Sequence, residues 1–210
     1  MSQHRSIADI PEAELIQELM QNPHWRSSVL NIQGFPSDAK AFLEISLSGL
    51  FSLEGDIDIL LVSTARPNEA IAVQAKRIKV TESSFRTEQP NKLKELEKLW
   101  HQTNALVAAG FSQIYCVVLI VVDSRANNDG VYKFDGLSKT LDAKIRNAIS
   151  TACLHENAGL VTMEFVQPVD DRPLGIGTFH LHLVRQAQIN PQAAEVTDWI
   201  LRAIAKHDSF

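Results

Sequence analysis

The sequence predicts an α/β protein with a mixed central sheet and helices on both of its faces. Residues 57–62 and 70–80 are two largely apolar strands, and the connector between them contains Pro67, as a hairpin loop does. Residues 115–122 form a continuous apolar run rich in β-branched side chains, which is typical of a central strand covered on both faces. Residues 91–109 carry apolar side chains at helical spacing. A helix that connects buried strands indicates an α/β fold.

The remaining elements follow in chain order. Residues 11–20 begin with Pro, carry acids in the first turn and repeat an apolar stripe, so they predict a helix, and Asn22-Pro23 predicts its end. Residues 41–53 fit either a short helix or a strand. Gly110 is expected to close the helix over residues 91–109 as its C-terminal cap. We further expect loops at residues 31–38, 63–69, 124–136 and 168–177, a helix over 137–152, strands over 161–167 and 178–184, and a last helix over 192–206.

Length and composition predict one globular domain. The chain has 210 residues, of which 45% are hydrophobic and 21% charged, as in ordinary soluble domains. We expect a core over about residues 11–125, with residues 126–210 adding helices and strands to the same domain. The longest apolar run has fewer than ten residues, far below the roughly twenty that span a bilayer, so no membrane partner is expected. Two cysteines without a secretory signal predict a cytoplasmic protein.

The most informative motif joins the predicted hairpin strands. Residues 54–61 read Glu-Gly-Asp-Ile-Asp-Ile-Leu-Leu, and residues 72–77 read Ala-Val-Gln-Ala-Lys-Arg. Residues two apart on a strand share a face, so Gln74 and Lys76 are expected to point together towards Asp58. An unpaired charge inside an apolar strand costs several kcal/mol unless a partner or a metal compensates it. These residues therefore indicate a functional site, although a capped turn and an edge-strand pair are the structural alternatives.

This pairing of Gly-x-x-Asp with Gln-x-Lys resembles the core motif of the PD-(D/E)XK nuclease superfamily, and most closely its Mrr-type restriction endonuclease branch. The resemblance implies a three-layer α/β/α, restriction-endonuclease-like core with a mixed central sheet. It implies Mg²⁺, or Mn²⁺, held by Asp58, Gln74 and the backbone carbonyl of Ala75. Gln74 stands where most members have an acid. Hard divalent cations take such oxygen ligands.

The same resemblance implies catalytic roles for Asp58, Gln74 and Lys76. A lysine beside a metal site orients the attacking water and stabilises charge that grows on the phosphate. Members often add a carboxylate from an upstream helix. Glu18 is the preferred candidate because it adjoins the apolar stripe of the first predicted helix. The alternatives are Glu14, Glu54 and Asp56.

Charge distribution adds a candidate nucleic-acid surface. The chain has a net charge of −5, yet residues 76–98 hold seven Lys or Arg against four Asp or Glu. Phosphate contacts are expected from Arg77, Lys79, Arg86 and Lys92. A solvated surface is the alternative interpretation of these four residues.

Together these features predict a metal-dependent endonuclease that hydrolyses phosphodiester bonds, with DNA as the expected substrate and restriction or phage defence as the expected setting. A homodimer or a specificity partner is expected to supply target choice, because no separate DNA-recognition segment is recognisable. The alternative is a non-catalytic nucleic-acid-binding or assembly module on the same fold. The sequence contains neither a Gly-rich phosphate loop ending in Lys-Ser/Thr nor a Gly-x-Ser-x-Gly elbow, so nothing indicates an ATPase or a serine hydrolase.

Overall fold

The fold is seen in a computed structural model. The structure describes residues 7–32, 34–35, 39–50, 53–63, 65–123, 136–149, 153–167 and 178–207. The predicted loops at 124–136 and 168–177 fall outside these residues, apart from Gly136, and the loop at 31–38 does so in part.

The described part of the chain forms six α-helices and six strands. The helices are α1 (Glu12–Gln21), α2 (Pro23–Ile32), α3 (Glu82–Thr87), α4 (Leu96–Ala109), α5 (Lys139–Ala148) and α6 (Ala194–Ile204). The strands are β1 (Lys40–Ser46), β2 (Asp56–Ser63), β3 (Arg66–Val80), β4 (Gln113–Asp123), β5 (Gly159–Gln167) and β6 (Thr178–Arg185). No helix in the described ranges is long and apolar enough to cross a membrane.

All six strands belong to one mixed sheet in the order β1-β2-β3-β4-β5-β6. Strands β1, β2 and β3 form an antiparallel meander, and β4 and β5 run parallel to β3. Strand β6 returns antiparallel to β5. The predicted mixed α/β architecture is thus confirmed, and strands from the last eighty residues extend the same sheet.

Helices cover both faces of the sheet because the central strands are apolar on both sides. On one face, α1 and α2 pack on the side chains at alternate positions of β3 and β4, such as Val73, Val117 and Leu119. On the other face, α4 and α5 pack on the intervening positions of β4, such as Val118 and Ile120. Helix α6 covers that second face over β1, β2 and β3. The candidate functional site lies where β2 and β3 separate and this layered packing is interrupted.

Local chemistry explains α2, which is one of the two helices, with α3, that the sequence analysis missed. Asn22-Pro23 was predicted to stop α1, and it does, but it also starts α2. The Asn22 carboxamide oxygen accepts hydrogen bonds from the amides of His24 at 3.0 Å and Trp25 at 3.3 Å. Asn is a favoured N-cap and Pro a favoured first residue, so one dipeptide ends one helix and begins the next.

Two boundaries differ from the prediction in the hairpin region. The loop expected over residues 63–69 is short, because β2 runs to Ser63 and β3 already begins at Arg66. The ladder passes a register shift between Leu61 and Ser63, which accommodates Pro67 near the strand end. Of the two structures that residues 41–53 allowed, the strand forms, as β1.

Candidate functional site

The sheet opens between β2 and β3 at the level of Asp58. Pairing of these two strands extends no further than Ile59 opposite Val73. In a regular strand the side chains of Ile57 and Ile59 would share one face, but they pack into different hydrophobic clusters. The alternation of side chains along β2 therefore breaks at Asp58. Glu44 lies opposite Asp58 between the paired positions of β1 and β2, and it has a left-handed backbone with φ of 50°. The β1–β2 hairpin therefore turns away from β3 at these two acids.

Where β2 no longer pairs with β3, two carboxylates accept hydrogen bonds from the backbone amides of β3. The amide of Ala75 donates to Asp58 Oδ2 at 2.7 Å, and the amide of Arg77 donates to Glu12 Oε2 at 2.5 Å. The next amide on this edge, that of Lys79, bonds the carbonyl of Asn91. Because the N–H and C=O of one strand residue point to the same side, the Ala75 carbonyl faces this opening as well. Two side-chain carboxylates and a backbone carbonyl thus lie along this opening.

Lys76 is held at the opening by Glu12. Its Nζ lies 2.8 Å from Glu12 Oε1, and the two side chains are only 19% and 22% exposed. Since Oε2 of the same carboxylate accepts from Arg77, Glu12 binds the side chain of one residue and the backbone of the next. A charge-assisted pair of this kind, shielded from water, fixes the position of the ammonium group. A purely structural role would favour an ion pair between Lys76 and Asp58. Lys76 pairs with Glu12 instead.

The electrostatics of the opening are dominated by Asp58. Burial is the largest cause that raises the pKa of this carboxyl from 3.8 to about 6, and the neighbouring carboxylates of Glu12 and Glu44 raise it further. The hydrogen bond from the Ala75 amide and the charge of Lys76 act in the opposite direction. A carboxylate whose ionisation is opposed by burial and by two other acids is a favourable neighbour for a cation.

Gln74 is buried and takes a different orientation from the other motif residues. Its amide nitrogen donates to the backbone carbonyl of Asp56 at 2.8 Å, which ties β3 to the start of β2 below the opening. The side chain lines a cavity of about 250 Å³ beneath α4, together with Leu47, His101 and Gln102. The structure therefore gives Gln74 a clear bridging role between the strands.

The carboxylate that pairs with Lys76 is none of the predicted upstream acids. Glu14, Glu18, Glu54 and Asp56 are all exposed, whereas Glu12 is partly buried against Lys76. On an α-helix, Glu14 points about 200° and Glu18 about 240° around the axis from Glu12. The preference for Glu18 rested on its position beside the apolar stripe. Residues beside the apolar stripe of α1 lie over the middle of the sheet. The opening between β2 and β3, in contrast, lies beyond the start of α1.

The four predicted phosphate-binding residues have separate environments. Arg77 is buried, with 5% of its surface exposed, so it offers little to a ligand in solution. Burial lowers the pKa of Lys79, and the charges of Arg77 and Lys92 lower it further. Arg86 is paired with Glu82, and Lys92 lies 3.6 Å from Glu95. Two of the four, Arg86 and Lys92, are therefore paired with acids of the same segment, and Arg77 is buried.

Comparison with known proteins gives no family assignment. No protein-family model matches the chain, and no curated protein matches it. A solved structure of a protein of unknown function from Silicibacter pomeroyi is similar at 12% sequence identity and a TM-score of 0.31, over 79% of this chain and 70% of that one. So distant a likeness carries no argument about this protein.

Proposed function

We propose that this protein is a metal-dependent nuclease that hydrolyses phosphodiester bonds in DNA. The observation that carries the proposal is the convergence of Asp58, the Ala75 carbonyl, Lys76 and Glu12 at the opening between β2 and β3. Three of these are residues that the Gly-x-x-Asp and Gln-x-Lys resemblance selects. The fourth, Glu12, comes from an upstream helix, as the resemblance also implies.

The order of elements supports the same proposal. Helix α1 precedes an antiparallel meander of β1, β2 and β3, and α4 then leads to β4, parallel to β3. This is the order expected for a restriction-endonuclease-like core. On this proposal, β5 and β6 are additions to that core.

The donor set fits Mg²⁺ or Mn²⁺. Asp58 and the Ala75 carbonyl supply hard oxygen ligands of the kind that these cations prefer, and a cation would relieve the cost of charging Asp58, whose pKa is raised mainly by burial. Within the described ranges, no group of three or more His, Cys, Asp or Glu side chains is arranged to hold a metal. The ligands would therefore be few, with water and substrate completing the shell, as is usual for Mg²⁺. When bound, the ion would supply Lewis-acid activation of water and neutralise phosphate charge.

The residues of the chain have distinct roles in this proposal. Lys76 stabilises the negative charge that develops on the phosphate during hydrolysis, and Glu12 positions it. Asp58 is anchored by the Ala75 amide through one oxygen, which leaves the other oxygen for the ligand. Gln74 maintains the opening through its bond to Asp56.

A non-catalytic nucleic-acid-binding module is the second candidate, and one observation favours it. Glu12 is fully engaged by Lys76 and by the Arg77 amide, as in an internal ion pair that only stabilises the fold. Such a protein would bind nucleic acid without cleaving it.

Plasmid nicking by the purified protein tests the proposal. With millimolar Mg²⁺ or Mn²⁺ we expect cleavage that EDTA abolishes. Lys76→Ala and Asp58→Asn should each lower the rate about 100-fold or more. Glu12→Gln should lower it about tenfold to 100-fold through displacement of Lys76. The matched variants Glu14→Gln and Glu18→Gln lie on the same helix and should cleave at the wild-type rate.

The outcomes separate the candidates. Nicking that survives Lys76→Ala would assign the activity to a contaminant or to another site, and the proposal would fail. DNA binding without cleavage by the wild type under all metal conditions would favour the second candidate. A loss of activity in Glu18→Gln but not in Glu12→Gln would refute the geometry described for α1.

A further inference from the structure

A second site lies at the other side of the β1–β2 hairpin, between the end of β1 and the last turn of α6. It is a cavity of about 330 Å³. Ile45 and Trp199 form its apolar floor, and both side chains are almost fully buried. This cavity is separate from the one beneath α4 that Gln74 lines.

The polar rim of this cavity is cationic. Arg202 and Lys206, one turn apart on α6, line it together with His207, Ser46 and Ser48. Among the residues that the structure describes, no acidic side chain lines this cavity. Two cations and two hydroxyl groups around one concavity are the donor set that phosphate oxygens require.

Arg202 and Lys206 also lack acidic partners among the described residues, as do other lysines such as Lys40 and Lys139. Of the basic residues discussed above, Lys76, Arg86 and Lys92 each contact a carboxylate. Within the described part of the chain, no ion pair involves Arg202 or Lys206. In a protein with a net charge of −5, two unpaired cations directed at one cavity indicate an anionic ligand.

The cavity is close to the proposed nuclease site. Ser46 is paired with Asp56 across β1 and β2, and Asp56 is two residues from Asp58. From strand spacing and rise, the Cα atoms of Ser46 and Asp58 are about 8 Å apart. Successive phosphates on one strand of duplex DNA are spaced about 3.4 Å along the axis, so a strand held at Asp58 reaches the cavity within a few nucleotides.

We propose that this cavity binds a backbone phosphate of the nucleic-acid substrate, through Arg202, Lys206 and the Ser46 and Ser48 hydroxyl groups, a few nucleotides from the bond that is cleaved. This inference rests on the proposed function for its choice of substrate. It adds a phosphate contact outside the basic segment of residues 76–98, in which Arg86 and Lys92 are paired with acids.

The salt dependence of DNA binding tests this inference without requiring cleavage. Anisotropy of a labelled duplex is measured in EDTA between about 50 and 200 mM KCl, for wild type and for Arg202→Gln/Lys206→Gln. Loss of one phosphate contact reduces the slope of log K against log salt by about 0.9, so the double variant, which removes both cations from the proposed single phosphate, should lose about that amount. At the lower salt concentration, its affinity should fall correspondingly more than at the higher one.

Control variants make the result specific. Lys40→Gln/Lys139→Gln removes the same charge at the far end of β1 and at the start of α5, and it should keep the wild-type slope. Ser48→Glu places a carboxylate at the rim and should weaken binding although both cations remain. Circular dichroism spectra and melting temperatures of all variants establish that each is folded.

The possible results distinguish the site from the nuclease. Binding that depends on Arg202 and Lys206 in a protein that does not cleave DNA would support the phosphate site and refute the proposed activity. Equal slopes for the wild type and the double variant, or no DNA binding at all, would overturn the inference. In that case the two cations only complement the dipole at the end of α6. Stabilisation by inorganic phosphate, with an unchanged DNA slope, would assign the cavity to a free anion and overturn its assignment to a nucleic-acid strand.

Discussion

Replacement of Asp58 by asparagine should make the metal-free protein more stable at neutral pH while it removes activity. The Asp58 carboxyl is buried, and its pKa is raised from 3.8 to about 6. Asparagine has nearly the same shape, and its carboxamide oxygen can still accept the hydrogen bond from the Ala75 amide. The variant therefore removes the cost of a buried charge without leaving an orphaned amide on β3.

The magnitude follows from proton linkage. The folded state binds this proton more tightly than the unfolded state, so the stability it provides is present below about pH 4 and is lost as the pH rises through about 6. A shift of about two pKa units corresponds to about 3 kcal/mol once the group is fully ionised. Between pH 4 and pH 7, the free energy of unfolding of Asp58→Asn relative to wild type should therefore rise by about 2 kcal/mol. Because the raised pKa of Asp58 already includes its attraction to Lys76, the net gain at pH 7 is about 2–3 kcal/mol, or roughly 4–12 °C in melting temperature.

Urea unfolding followed by circular dichroism at several pH values, in EDTA, measures this difference. Asp56→Asn is the matched control, because Asp56 is exposed two residues earlier on the same strand, and it should change stability by no more than about 0.5 kcal/mol. Addition of Mg²⁺ should stabilise the wild type but not Asp58→Asn. A variant that is less stable than wild type at pH 7, or a difference that does not grow with pH, would refute the description of Asp58 as a buried, electrostatically opposed carboxylate.

Two further predictions concern the core. Cys116 is buried and its pKa is raised by desolvation, whereas Cys153 is exposed. A thiol reagent at pH 8 should therefore label one equivalent in the native protein and two in guanidinium chloride. Rapid labelling of both cysteines in the native protein would contradict the burial of β4. Gly159→Ala would place a Cβ 2.4 Å from the Tyr115 ring and 2.8 Å from the Ala187 amide. The variant should therefore lower the free energy of unfolding in urea by about 2–4 kcal/mol. A loss below about 0.5 kcal/mol would show that β5 and β4 are not packed as described.

Local sequence patterns predicted most of the elements because each pattern is encoded within one segment. The alternation and apolar runs of β2, β3 and β4 and the helical stripe of α4 report which faces are buried, and burial of those faces is what the fold requires. Failures occurred where one residue serves two purposes. Asn22 ends α1 and caps α2, and Pro67 lies within a strand end although it is common in loops.

The candidate site was predicted in its strand residues and not in its helical residue. Asp58 and Lys76 lie on consecutive strands of one antiparallel hairpin, and chain adjacency alone predicts that these strands are neighbours. Glu12 lies 64 residues before Lys76, and its role depends on where the start of α1 meets the sheet. An acid in the first turn of a helix also has an ordinary explanation in the helix dipole, so nothing in the local sequence singles it out.

The sequence by itself determined a mixed α/β sheet, with Asp58 and Lys76 on its neighbouring strands, because strand and helix periods and chain-adjacent pairing are local properties. Only the tertiary structure decided which acid reaches Lys76, that Arg77 is buried, and that Arg202 and Lys206 face Ser46 and Ser48. Those contacts join segments far apart in the chain. The path of the chain over the faces and ends of the sheet sets them, and no periodicity within a segment records that path.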